Sequence, residues 1–286
     1  MFTRRAKTKV FQEMEMIDTY KWIEKVSSHL ANEVSFLKDF IGDDAIDEFL
    51  KETTIDRFKS LSLSLKYPFL NYQNNPDNQE LIEQGLLIQA WSSLGSLLES
   101  TLQLFLSFYY RNYAESDWNQ WESNAIEQLR SFISDKMNEE LKSIVQDNIN
   151  NELMGLTGKI RKSFITQVNE ILERKEGIPS LENITLSDLL DFYFSQDVLM
   201  KGNYEQVDLQ KIRDYRNGIH SFKGRVIGSW EEMNNYAKVY LQVTIDMLHQ
   251  LPSIPDEVPI PEWYLEDRSE ILMQENEWFD YQYTLR

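Results

Sequence analysis

Residues 84–110 read QGLLIQAWSSLGSLLESTLQLFLSFYY. Leu87, Trp91, Leu94, Leu98, Leu102, Phe105 and Tyr109 step by three or four residues and therefore share one face of a helix. Glu99 is the only charge in the stretch. Gln84, Gln89, Ser92, Ser93, Ser96, Ser100, Thr101, Gln103 and Ser107 interrupt the apolar run, whereas a membrane-spanning helix needs a more continuous one. The reading is a buried central helix, over about 79–113, in a bundle of helices that does not span a membrane. Ser92, Ser96 and Ser100 form a second stripe of small residues that would let a neighbouring helix come close.

The flanking sequence has the same character. The apolar positions of 10–41 recur at helical spacing until Gly42-Asp43-Asp44, and 45–66 resume the pattern. Leu61, Leu63 and Leu65 alternate with serines, which is compatible with a short strand, but a helix end is preferred. Residues 71–79, NYQNNPDNQ, read as a linker. Beyond the central helix, 118–147 and 148–176 read as one or two long polar-faced helices, interrupted near Gly155 and Gly158 and ended by Gly177-Ile178-Pro179-Ser180. Thr185 with Asp188 is an acidic relative of a capping box opening a helix at Leu186, and Asn203 with Gln206 is a candidate for the next start. Ser229-Trp230-Glu231-Glu232 is a capping box whose helix runs to about Gln250, where Leu251-Pro252 stops it.

Composition agrees with an all-α bundle. Ten glycines and seven prolines in 286 residues leave little material for many tight turns, and no set of strands stands out. A hydrophobic content of 42% is ample for a core. The absence of cysteine removes disulfide scaffolds, thiol chemistry and thiolate metal sites. The start, MFTRRAKTKVFQEMEM, has no apolar run behind its basic residues and does not read as a signal peptide, so the expectation is a cytoplasmic protein. The organisation read is a helical region at 1–78, a helical domain at 79–250 with an insertion at 115–178, and a tail at 251–286. In 252–286, nine acids face two bases, with four prolines and six interleaved aromatic residues. A strap on the body is preferred to a ligand cage, with a possible second role of lying over a basic surface.

Sites of several chemistries are missing. No glycine-rich phosphate loop, paired histidines at i,i+4 or Gly-x-Ser-x-Gly elbow occurs. The three histidines are His29, His220 and His249, and the first and last read as structural. One constellation stands out: Lys211-Ile-Arg-Asp-Tyr-Arg-Asn-Gly-Ile-His220-Ser-Phe222. With Arg213 at zero and about 100° per residue, Arg216 falls at about 300°, Asn217 at about 40° and His220 at about 340°. Ile212, Tyr215, Ile219 and Phe222 fall nearly opposite. Residues 201–225 hold six bases against three acids, a local +3 in a chain of net charge −18. A cationic, proton-transferring face is expected.

Here the sequence resembles a family. Arg213 followed by the polar Asp214, with six residues before His220, resembles the Arg-x4–6-His motif of HEPN domains, and the phrase RDYRNGIH before a long helix is similar to the end of many of them. Gly95–Glu99, upstream on a long helix, extends the similarity, which covers roughly 80–250. The resemblance implies an all-α bundle, a ribonuclease needing no metal or other cofactor, RNA as substrate and a homodimer with a composite site. It also implies a toxin–antitoxin or antiviral defence setting, with an antitoxin or sensor protein as a possible partner. Other members are catalytically silent interaction modules. The chemistry fits residue by residue. His220 would transfer protons. Arg213 would hold the phosphate and its developing charge. Asp214 would orient His220 or its partner group, while Arg216, Asn217 and Lys211 would bind substrate. Glu99 would either support an arginine, with Arg213 the named candidate, or be merely exposed. A helical scaffold without any such site is the third class of reading.

Overall fold

The computed structural model describes residues 2–8, 13–41, 44–74, 80–110, 113, 181, 184–195, 204–217 and 227–285. The chain divides into two compact units, Met1–Tyr109 with Ile184–Arg286, and Tyr110–Asn183. Every element below belongs to the first. The long helices expected at 118–147 and 148–176 lie outside the described residues.

The first unit is built on helices. In chain order they are α1 (Met16–Lys38), α2 (Asp44–Phe49), α3 (Glu52–Ser64), α4 (Tyr67–Gln73), α5 (Glu80–Ser107), α6 (Leu186–Ser195), α7 (Gln206–Arg216), α8 (Trp230–Gln250) and α9 (Glu262–Trp278). The central helix is α5: it packs against α2, α3, α4, α6, α7 and α8. Leu87, Trp91, Leu94, Leu98, Leu102 and Phe105 are all buried, as their spacing requires. Leu97, Leu104 and Leu106 are buried on its other sides, so the C-terminal half of α5 is enclosed. No helix among the described residues is long and apolar enough to cross a membrane.

Three helices meet at one buried hydroxyl. The Tyr240 hydroxyl on α8 lies 3.2 Å from Ser27 Oγ on α1 and 3.0 Å from Thr101 Oγ1 on α5. All three residues are fully enclosed. A hydroxyl taken from water is costly unless paired, and this triad meets that need while fixing the register of three helices. Further buried tyrosines tie the bundle to backbone and side-chain acceptors: Tyr193 donates to Leu102 O at 2.8 Å and Tyr204 to Asp246 Oδ2 at 2.6 Å.

Local starts and stops follow the capping chemistry. Thr185 Oγ1 donates to Asp188 Oδ2 at 2.7 Å, and the Asp188 N–H returns to Thr185 Oγ1. Ser229 Oγ accepts from the Glu232 N–H at 3.2 Å, and α8 ends at Gln250 as expected. At the start of α7 the expected cap is displaced: Glu205 occupies the N-cap, and its N–H donates to Asp208 Oδ2 at 2.8 Å. The 61–65 segment is the end of α3 and not a strand. The linker read at 71–79 begins inside α4, which extends to Gln73.

The main departure from the sequence reading is at the chain ends. Phe2–Thr8 (β1) and Phe279–Leu285 (β2) pair as an antiparallel two-stranded ribbon, with Phe2 opposite Leu285 and Thr8 opposite Phe279. The tail also contains a full helix. Ile271, Glu275 and Trp278, at helical spacing on α9, are buried. The tail packs on α1: Trp278 meets Trp22 edge to face at 4.8 Å between centroids, and Trp263 lies 5.9 Å from His29. Arg268 Nη1 reaches both oxygens of the buried Glu33 at 3.0 Å, and Tyr264 donates to the same carboxylate. His249 on α8 lies 2.7 Å from Glu275. These contacts make the tail a strap on α1.

Two buried tyrosines give opposite expectations. Tyr240→Phe strands Ser27 and Thr101 and should lower the unfolding free energy by about 1–2 kcal/mol. The Tyr20 hydroxyl is buried with no hydrogen-bond partner among the described residues, so Tyr20→Phe should leave stability equal or higher in urea unfolding at neutral pH. Burial raises the pKa of both hydroxyls above the ordinary 10.0. Below about pH 10 both states keep these protons and stability is insensitive to them. Above it the unfolded tyrosines ionise first, so stability should fall as pH rises, and less steeply in Tyr20→Phe.

Candidate functional site

The candidate site is the C-terminal end of α7. Leu209 and Ile212 are its buried anchors. Leu209 lies at about 320° on the wheel used above, between Arg216 and Arg213. The buried face of α7 therefore extends under Arg216, and this corrects the expectation that the whole Arg/Arg/Asn/His face is turned away from the bundle. The helix ends at Arg216 with Asn217 as its C-cap, and the Asn217 N–H returns to the carbonyls of Arg213 and Tyr215. His220, Gly218, Ile219 and Phe222 lie outside the described residues.

Arg216 is held against α5. A Cβ at Gly95 would stand only 2.7 Å from both Cβ and Cδ of Arg216, closer than side-chain carbons approach. The stem of Arg216 thus crosses α5 where α5 has no side chain. One turn on, its Nη1 pairs with Glu99 Oε2 at 2.6 Å. Both side chains are about a quarter exposed, 28% and 21%. Glu99 therefore does support an arginine, but it is Arg216 and not Arg213. The two helices approach closely at Gly95, and Ser92, Ser96 and Ser100 are half-buried.

Arg213 faces α6. Its Nη1 donates to Ser187 Oγ at 2.9 Å, while Nε and Nη2 donate to Asp214 Oδ1 at 3.2 and 3.0 Å. Three of the five guanidinium N–H groups are engaged, and two remain without a partner among the described residues. Asp214 is 61% exposed, and its Oδ1 accepts both of these bonds from Arg213. Asn217 is exposed beside them. Lys211 stands apart, on the Tyr236 side of α7, with Nζ 5.7 Å from that ring's centroid. Its bond with the Tyr236 hydroxyl, with the neighbouring phenols and Glu232 adding to it, raises its pKa.

The far end of the intervening segment is also fixed. Trp91 Nε1 donates to Ile227 O at 2.7 Å, and the Trp91 ring lies 4.5 Å from that of Tyr215. Tyr215 in turn donates to Glu232 Oε1 at 2.9 Å. Partial burial and this carboxylate raise the Tyr215 pKa. Gly228 adopts φ +71, a conformation that favours glycine, with the Glu232 carboxylate packed where a Cβ would stand. Arg216 and Ile227, which bracket His220 in sequence, are thus each attached to α5.

The sequence reading did not find the Glu33–Arg268–Tyr264 cluster. A signal was available: Glu33 falls on the same spacing as the buried Val26, Leu30 and Leu37, where a carboxylate is out of place unless paired. His29, 1% exposed, has Nε2 at 3.3 Å from Glu33 and Nδ1 at 3.7 Å from Asp267, and neither ring nitrogen makes a hydrogen bond among the described residues. Among the described residues no group of three or more His, Asp or Glu side chains is placed to hold a metal ion.

The Gly95 contact generates a prediction against intrinsic propensity. Alanine is favoured over glycine inside a helix by about 1 kcal/mol. Gly95→Ala should nevertheless destabilise the protein by about 1–3 kcal/mol, because the backbone of α5 and the stem of Arg216 must part. Arg216→Ala removes the Cδ contact but keeps its own Cβ 2.7 Å from the new methyl, so it should relieve only part of that penalty and thermal unfolding of the double variant should show partial coupling.

No family model, curated protein or solved structure matches the chain.

Proposed function

We propose that the protein is a HEPN-like, metal-independent endoribonuclease acting as a toxin or antiviral defence effector. Arg213 is the phosphate-binding group and His220 the proton-transfer group. The observation that supports this reading is the division of labour between two arginines on one helix end. Arg216 is committed to Glu99, whereas Arg213 is held in place by Ser187 and Asp214 and keeps two N–H groups for a ligand. A guanidinium oriented in advance loses little freedom when it meets a phosphate oxygen. In this reading Asp214 positions Arg213, Arg216 with Glu99 positions the helix, and Asn217 lies next to the substrate. Lys211, on a different side, contributes field rather than contact.

The chemistry requires the 2′-OH of RNA to attack the adjacent phosphorus. The P–O5′ bond breaks, one proton leaves the attacking oxygen, and one arrives on the departing 5′ oxygen. Histidine titrates near neutrality and suits both transfers. The charge that builds on the phosphorane is met by Arg213. A homodimer would bring two such helix ends to one substrate, and a closed two-fold pair is the commonest homo-oligomer. The overall charge of −18 disfavours indiscriminate binding of nucleic acid and suits a restricted RNA target.

A second reading, a catalytically silent interaction module, is favoured by a different observation. Both arginines are paired internally, and both stand in the last turn of α7, where cations offset the helix dipole. One experiment separates the two. Purified protein is incubated with total RNA and defined tRNAs, with and without excess EDTA. The nuclease reading expects EDTA-resistant cleavage leaving 2′,3′-cyclic phosphate and 5′-OH ends. His220→Ala should reduce the rate by about 10²–10⁴-fold and Arg213→Ala by about 10²–10³-fold, with helical circular dichroism unchanged. Cleavage that survives His220→Ala, or that requires a metal, contradicts it. Sedimentation of the wild type as a dimer is expected, and a fully active monomer would contradict the composite site.

A further inference from the structure

A cleft of about 460 Å³ opens between α1 and α3, at the edge of their apolar seam, away from the end of α7. Four lysines line it: Lys21 and Lys25 from successive turns of α1, Lys59 from α3 and Lys66 from the turn after α3. Glu24 and Asp267 are the carboxylates in its wall. In a chain of 29 basic and 47 acidic residues, four ammonium groups gather around one small cavity, with four carboxylates, Asp18, Glu24, Asp267 and Glu270, beside them.

Three of these lysines are balanced by carboxylates of the surface. Lys21 pairs with Asp18 at 2.9 Å, Lys66 with Glu24 at 2.7 Å, and Lys25 with Glu270. The Glu24 bond raises the Lys66 pKa, so that ammonium stays charged throughout the neutral range. Lys59 makes no ion pair among the described residues, although it is only half-exposed. Partly solvated lysine–carboxylate pairs contribute little to stability, so exchanging one carboxylate for another oxyanion costs little. A phosphate group presents more acceptor oxygens than a carboxylate and can take charge-assisted bonds from several ammonium groups at once. The backbone around the cleft is regular helix anchored by the buried Ile23, Val26, Ile55 and Phe58, so the lysine stems start from fixed positions.

We propose that this cleft is a binding site for a small phosphate-bearing anion. The ligand bridges Lys59 and Lys25 across the cleft, with Lys21 and Lys66 at its rim, and the Lys25–Glu270 pair opens to admit it. Because Glu270 and Asp267 belong to α9 and the lysines to α1 and α3, the site joins the C-terminal strap to the bundle. The proposal is independent of the ribonuclease reading.

Inorganic tripolyphosphate serves as the probe, titrated by calorimetry into the full chain at low ionic strength. Saturable binding of one equivalent is expected, weakening as salt is raised. Lys59→Gln and Lys25→Gln should each weaken it by about tenfold or more, and Glu24→Gln should strengthen it. Arg57→Gln makes the same charge change on the exposed face of α3 and should have little effect. Absence of saturable binding overturns the proposal. Equal weakening by Arg57→Gln and Lys59→Gln also overturns it, because the effect would then belong to the general field and not to the cleft. Thermal unfolding of each variant confirms that it is folded, and either lysine variant alone suffices for the comparison.

Discussion

The position of α7 depends on the absence of a side chain at Gly95. Arg216 crosses α5 at that point, with its Cβ and Cδ 2.7 Å from where an alanine methyl would be. This proximity brings the guanidinium to Glu99 one turn later. Intrinsic propensity works against glycine within a 28-residue helix, so its local cost must be offset by the packing it permits. The same helix supplies Trp91, which attaches both Tyr215 and Ile227. The end of α7 and the start of the approach to α8 are therefore held by one face of α5, at Trp91, Gly95 and Glu99. Arg213 and Asp214 inherit their places from this arrangement and not from contacts of their own with α5.

The remainder of the unit supports α5 from the other side. The Tyr240 hydroxyl joins α1, α5 and α8 at a dry point where every partner is buried. On the outer face of α1, the strap α9 brings an arginine to the buried Glu33 and closes with Trp278 on Trp22. Breaking a buried pair by removing one partner is costly, because the remaining charge has no solvent, and this makes the Glu33–Arg268 contact a strong determinant of where the strap lies. The ribbon of β1 and β2 then joins the two ends of the chain. Two strands alone are marginal in water, and the direct continuation of α9 into β2 gives the ribbon a fixed base.

Helices were legible where one face is apolar and the ends carry capping residues. The α5 stripe from Leu87 to Phe105, the Thr185/Asp188 cap and the Ser229 cap all lie where the residues direct. The helix within the tail was missed because its four prolines and acidic charge masked the i,i+4,i+7 spacing of Ile271, Glu275 and Trp278, with a carboxylate in the buried stripe. The sequence FDYQYTL alternates apolar and polar residues at period two, a strand signal, but its partner FTRRAKT does not, and pairing between opposite ends of a chain leaves no local turn to reveal it. At the candidate site, the residues Arg213, Arg216 and Glu99 were legible but their pairing was not. The wheel omitted Leu209, and a wheel carries no information on which neighbouring helix each face meets. That Gly95 admits the stem of Arg216 follows from the 2.7 Å approach, which only three-dimensional packing determines.

Hydrogen exchange on Gly95→Ala tests the dependence of α7 on this contact most directly. If Gly95 sets the position of α7, the amides of Leu209 to Arg216 lose protection selectively, while those of α1 and the centre of α8 around Tyr240 retain theirs. Protection that falls uniformly over all helices, or that stays unchanged in α7, would contradict the account, because the close approach at Gly95 would then not be what holds the arginine-bearing helix.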